Sequence, residues 1–105
     1  MDKLLEILKA AGIPFAYDHF AEGEAPEPPF ICYLLPNSDN FSADGRVYYK
    51  INEVHIELYT DTKDLSVERQ VEAVLDEHGI FYDRSEVWIE SEKLYEVLYS
   101  FEMEV

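Results

Sequence analysis

Hydrophobic positions change period several times along the chain, and each change marks an element. Leu4, Leu5, Leu8 and Ala11 recur at helical spacing with Ile7 beside them, while Lys3, Glu6 and Lys9 lie on the other side. This predicts a short helix with Asp2 as its cap and Gly12 and Pro14 as its stop. Phe15 to Phe20 alternates less cleanly and reads as a short strand. Glu22 to Pro29 holds one glycine, three prolines and three glutamates without periodicity. That is a loop, which Pro28-Pro29 keeps extended. Phe30 to Leu35 is a continuous apolar run ended by Pro36, the pattern of a central strand buried on both faces. Asn37 to Gly45 is a second polar loop, interrupted only by Phe41 and Ala43.

Arg46 to Thr60 is the longest strand candidate. Val54, Ile56 and Leu58 share one face, opposite Glu53, His55, Glu57 and Tyr59. Val47, Tyr49 and Ile51 have the opposite parity, so the pattern predicts a bulge or bend near Asn52-Glu53. Val67, Val71, Val74, Leu75 and His78 form a helical stripe. Asp64 is its N-cap, Glu68 favours the positive end of the helix dipole, and Gly79 follows the last turn. Ile80 to Glu90 and Leu94 to Glu104 read as two strands of an antiparallel hairpin, joined through Ser91-Glu92-Lys93. The expected fold is α+β: residues 1–105 as a single domain, with a single mostly antiparallel sheet of about five strands and two helices packed on one face.

Composition changes this picture in one respect. The chain of 105 residues carries 23 Asp and Glu against 8 Lys and Arg, a formal net charge of −15. Acidity on that scale often accompanies disorder. Here 48% of residues are hydrophobic and 14% aromatic, enough to bury a core, so the acid belongs on a folded surface. Binding to nucleic-acid phosphates or to an anionic membrane is excluded as a role, because both depend on clustered Lys and Arg. The first residues show no basic run followed by a long apolar stretch, which predicts no secretory signal and a cytoplasmic origin. Cys32 has no second cysteine to pair with, so nothing demands an oxidising compartment.

No catalytic or metal-binding constellation emerges. His19, His55 and His78 are far apart in sequence and none has ligand spacing with another. His78 suits a helix's last turn, where a cation meets the dipole. Cys32 lies inside an apolar run and reads as core rather than as a nucleophile. Asn40 to Gly45 faintly resembles half of a calcium loop, but the twelfth position is Ile51 rather than a bidentate glutamate. Phosphate loops and nucleophile elbows are absent, so neither an enzyme nor a cofactor is expected. The candidate contact is the loop Asn37 to Arg46, expected to be mobile until a partner orders it. It has Phe41 as an apolar anchor among Asp39, Asp44 and Arg46.

Several blocks resemble small proteins encoded in the structural-gene clusters of prophages of Gram-positive bacteria. They are Ala16-Tyr17-Asp18-His19-Phe20, Pro28-Pro29-Phe30, Asp39 to Gly45, Glu57 to Asp61, Gln70 to Gly79 and Ile89 to Val97. The resemblance covers nearly the whole chain. Size and element order are similar to head–tail joining and tail-terminator (tail-completion) proteins of long-tailed phages. The resemblance implies a ring at the head-proximal end of the tail, contacts with other tail or connector proteins, a place in the virion after assembly in the host cytoplasm, and no active site. The residues alone also admit two other readings. One is a monomeric acidic domain whose charge serves solubility. The other is an acidic inhibitor, a DNA-mimic binding module acting on a host or phage protein.

The charge generates a first prediction. The isolated protein does not bind duplex DNA at about micromolar concentration at any salt, because phosphate neutralisation has no cation surface to use. Fluorescence polarisation across a salt series checks it, and salt-sensitive binding would refute it.

Overall fold

A computed structural model describes residues 2–38, 41–43, 46–49 and 51–104. Helix α1 (Asp2–Ala11) buries Leu4, Ile7, Leu8 and Ala11, and Gly12 ends it with φ +72°, a conformation that glycine adopts without a Cβ penalty. Strand β1 (Phe15–Tyr17) follows. It stops at Asp18, whose φ of +64° turns the chain out of the extended conformation three residues before the end of the predicted strand. The connection to β2 (Phe30–Leu34) contains a cis Pro28–Pro29 peptide. Next come β3 (Phe41–Ala43), β4 (Arg46–Tyr49) and β5 (Ile51–Thr60), then α2 (Leu65–Glu77), β6 (Asp83–Ile89) and β7 (Leu94–Glu104).

Five strands form one sheet in the order β1-β2-β5-β7-β6. Only the β1–β2 pair is parallel. The α+β class, the mostly antiparallel sheet and the two helices agree with the sequence pattern. Helix α2 is also capped as its sequence implies. The Asp64 side chain accepts from the Val67 amide at 3.2 Å. At the other end the Ile80 and Gly79 amides donate to the Leu75 and Asp76 carbonyls, and Gly79 has φ +69°. Those are the two bonds of a Schellman motif. His78 adds a contact from Nδ1 to the Val74 carbonyl at 2.8 Å.

The helices cover one face of the sheet. Leu4, Ile7, Leu8, Val71 and Leu75 meet Ile31, Tyr33, Val54, Ile56, Leu58, Val97, Tyr99 and Phe101 in one buried cluster. The Gln70 amide group donates to the Ala11 carbonyl, joining α2 to the end of α1.

Two sequence expectations need correction. The segment from Arg46 to Thr60 is not one strand. β4 pairs with β3 in a separate two-stranded ribbon, and β5 alone enters the main sheet. No bulge interrupts β5, which runs one-for-one against β7 from Ile51↔Glu104 to Thr60↔Tyr95. The change of parity along the sequence therefore reflects a change of sheet between Tyr49 and Ile51. The stretch Asn37 to Gly45 is likewise not all loop, since β3 lies within it. Its polar residues give little strand signal of their own, and only the backbone pairing with Arg46–Tyr49 reveals the strand. β2 agrees with the expectation of an interior strand buried on both faces. It lies next to the β1 edge, with Ile31 and Tyr33 buried under the helices and Cys32 buried on the opposite face.

Core and surface apolar residues should respond to truncation very differently. Leu58 is fully buried, whereas Phe81 is 91% exposed. Leu58→Ala is expected to cost about 2–5 kcal/mol through lost burial and a residual cavity. Phe81→Ala should change stability by less than about 0.5 kcal/mol. Urea denaturation of the two variants checks the contrast.

Candidate interaction surface

The uncovered face of the sheet differs chemically from the covered one. Strand alternation places Glu53, His55, Glu57 and Tyr59 of β5 there, with Leu94, Glu96, Leu98, Ser100, Glu102 and Glu104 of β7. β2 adds Phe30, Cys32 and Leu34, and β6 adds Asp83, Ser85, Val87 and Ile89. No lysine or arginine occurs among these strand positions. The described basic residues lie elsewhere, Arg46 at the start of β4 in the separate ribbon. Lys3, Lys9 and Arg69 are on the helices, Lys63 and Arg84 are on the helix side of the sheet, and Lys93 is in the β6–β7 turn, paired with Glu90.

On the helix side, Lys63 and Arg84 converge on Glu68, which is only 3% exposed. Lys63 Nζ lies 2.5 Å from Glu68 Oε2, and Arg84 Nη2 binds Glu68 Oε1. Both cations also reach Glu86. Arg84 Nε approaches Glu72 at 3.8 Å, and the Tyr99 hydroxyl donates to Glu72 at 2.7 Å. The Glu68 hydrogen bond, then Glu86, holds the Lys63 ammonium above its ordinary pKa. Lys63 is also the leading reason that the Glu86 carboxyl lies below the usual range. From sequence Glu68 reads as a dipole partner. In the fold it is a buried anion whose two cations fasten β6 to the start of α2, and removal of one partner from such a set is costly.

The open face carries its own polar pairs. His55 Nε2 lies 2.9 Å from Glu53 Oε1, and Asn37 donates to Glu53 Oε2 at 3.0 Å. The Tyr59 hydroxyl donates to Glu57 at 2.9 Å. Glu96 is diagonal to Glu57 across the β5–β7 pair. Burial first, and the neighbouring Glu57 carboxylate second, raise the Glu96 pKa. Cys32 sits beside these acids with its thiol pushed up to about 11, chiefly by burial, so it stays protonated and a poor nucleophile at neutral pH.

Between the Asp18–Pro29 connection and the β6–β7 turn, the open face dips into a cavity of about 270 Å³. Phe20, Phe30, Tyr59, Ile89 and Leu94 form apolar walls, and exposed Asp18 and Glu92 also line it. The aromatic rings are continuous: Phe20 meets Phe30 edge-on at 5.5 Å, and Phe30 stacks on Tyr59 at 5.2 Å. A second depression, lined by Asp2, Leu5, Glu6 and Lys9, belongs to α1 alone and has no group converging from another element.

Of the contact residues expected from sequence, Phe41 opens β3 and Arg46 opens β4. Backbone pairing sets Phe41 opposite Tyr49 and Arg46 opposite Ala43, with a register shift between Phe41 and Ser42. The hairpin thus brings Phe41 and Arg46 into one ribbon. Asp39 and Asp44 lie outside the described residues. Sequence reasoning missed the open-face cavity, although Phe30, Tyr59, Leu94 and Leu98 were visible as apolar residues on an otherwise acidic parity. Among the described residues, no three His, Cys, Asp or Glu side chains group to hold a metal, and no helix is long and apolar enough to cross a membrane.

The sequence matches no protein-family model and no curated protein. Its fold is shared with a chain from the virion of a native gene transfer agent particle. The superposition has a TM-score of 0.62 and covers 94% of this chain and 83% of that one, at 12% identity. At that identity the likeness is one of fold.

The Glu57–Glu96 pair makes stability pH-dependent. The folded state holds the Glu96 proton more tightly than the unfolded chain does. Its contribution is therefore fully present below the ordinary carboxylate range and is lost as pH rises through the raised pKa. Glu96→Gln mimics the protonated form. It should stabilise the protein at about pH 7 and lose that advantage near about pH 4, as read from urea midpoints. An equal shift at both pH values would assign the effect to packing.

Proposed function

We propose that the chain is a non-enzymatic structural subunit of a phage-like virion, acting as a tail-terminator or head–tail joining component that closes into a ring. The observation that carries this reading is the fold shared with a gene transfer agent virion chain along 94% of this sequence. Two features of the surface support it. Strands β1 and β6 form opposite edges of the sheet, so a head-to-tail contact between copies uses two different surfaces, the arrangement that generates rings. The separate β3–β4 ribbon is a second contact element, since an isolated two-stranded hairpin gains stability by packing against something else. In this reading the segment holding Asp39, Phe41, Asp44 and Arg46 touches a neighbouring subunit or connector protein. An acidic lining also keeps a DNA channel from trapping its cargo.

Charge governs how such a ring assembles. Copies of a −15 subunit repel one another over a Debye length that shrinks from about 10 Å at 0.1 M salt to about 3 Å at 1 M. Apolar contacts do not weaken in the same way, and several salts strengthen them. Self-association is therefore expected to rise with ionic strength, and sedimentation velocity across that range measures it. Phe41→Ala should reduce assembly while leaving the melting temperature nearly unchanged. A strict monomer at every salt concentration, including with purified tails, would overturn the ring. A loss of several kcal/mol of stability in Phe41→Ala would place Phe41 in a core instead.

A further inference from the structure

We infer that the open face of the sheet is a docking surface for a basic segment of a partner protein, which inserts an arginine or lysine side chain into the cavity walled by Phe20, Phe30, Tyr59 and Leu94. The inference stands apart from ring assembly, because the surface involved is neither a sheet edge nor the β3–β4 ribbon.

Size and shape limit the occupant first. A cavity of about 270 Å³ is just below the usual range for small-molecule and cofactor sites, about 300–1,000 Å³. It holds a side chain or two rather than a nucleotide or a flavin. Its walls are apolar, so the part that enters is a hydrocarbon stem or a ring. The cavity is also aromatic, with Phe20, Phe30 and Tyr59 in consecutive ring contact, and such faces attract a cation as well as an aliphatic chain.

Charge then sets the sign. Asp18 and Glu92 line the cavity, and His19, which also lines it, places Nδ1 2.8 Å from Asp18 Oδ2. Glu57, which accepts from the Tyr59 hydroxyl, and Glu96 lie beyond it on the same face. The described strand positions of this face offer only His55 as a cationic group, engaged by Glu53, and His19 of the connection is engaged by Asp18. A long basic side chain satisfies both demands, because it buries its methylenes and keeps its charged head among carboxylates at the mouth. Nucleic acid and anionic lipid are excluded by the same field. A second copy of this face is opposed by its own charge.

The probe is a blocked peptide of alternating arginine and leucine, titrated into the full-length ¹⁵N-labelled protein, with the glutamate–leucine counterpart as control. The basic peptide is expected to shift the amides of Phe20, Phe30, Tyr59, Glu92 and Leu94, and the acidic one to shift none. Asp18→Asn and Glu92→Gln should each weaken binding by roughly 1.5- to 5-fold. Phe20→Ser, a change in the connection that leaves the strands intact, should weaken it by about tenfold or more. Glu6→Gln on the helix side should have no effect. The inference is overturned if both peptides bind alike, if the shifts map to the helix layer, if the Asp18 and Glu92 variants bind as tightly as the parent, or if about millimolar basic peptide at low salt moves nothing.

Discussion

A β-strand sends alternate side chains to opposite faces, and two helices of 10 and 13 residues cover only one face of this sheet. Everything else in the molecule answers to that constraint. The continuous β5–β7 register fixes which residues each face receives, and a slip of one position would exchange Val54, Ile56 and Leu58 for Glu53, His55 and Glu57. Such a slip would bury three polar groups and expose three core residues. The register is therefore held by burial, and it directs the alternate acids of β5 and β7 to the open face.

The segregation of charge follows from the same geometry. A cation beneath the helices is tolerated where a carboxylate meets it, and Lys63 and Arg84 are both spent on Glu68 and Glu86. That network seals the side of the core at which the edge strand β6 would otherwise separate from α2. With those two cations held on the helix side and Lys93 held by Glu90 in its turn, the described strand positions of the open face supply no lysine or arginine to their carboxylates. Burial, and then the neighbouring Glu57 carboxylate, raise the Glu96 pKa, so uptake of a proton by Glu96 as pH falls relieves part of the repulsion on this face.

Much of the fold was legible because it is written in period. The stripe Val67, Val71, Val74, Leu75 and the ten-residue alternation of β7 each identify an element and the face it buries. The caps of α2, Asp64 and Gly79, were equally readable. What the sequence could not show was which neighbour a strand chooses. Val47 and Tyr49 look like the continuation of β5, and only pairing with Phe41–Ala43 reveals that they belong to another sheet. The burial of Glu68 was hidden for a related reason. On a helical wheel it is a first-turn acid, and its burial depends on Arg84, which is 16 residues away in sequence. The cavity was hidden because its walls come from three separate stretches that only the folded sheet brings together.

A surface that combines apolar residues with charge of one sign behaves differently from either alone. Apolar patches associate without regard to partner, and acidic patches attract any cation at a range set by salt. Together they select, since a partner must present a hydrophobic body and the opposite charge within the same few ångströms. The aromatic chain Phe20–Phe30–Tyr59 supplies the contact area, and Asp18, Glu92, Glu57 and Glu96 penalise every occupant that is not basic. The net charge of −15 acts further out. It keeps copies of the chain apart at low salt and draws basic surfaces toward the open face before any contact forms.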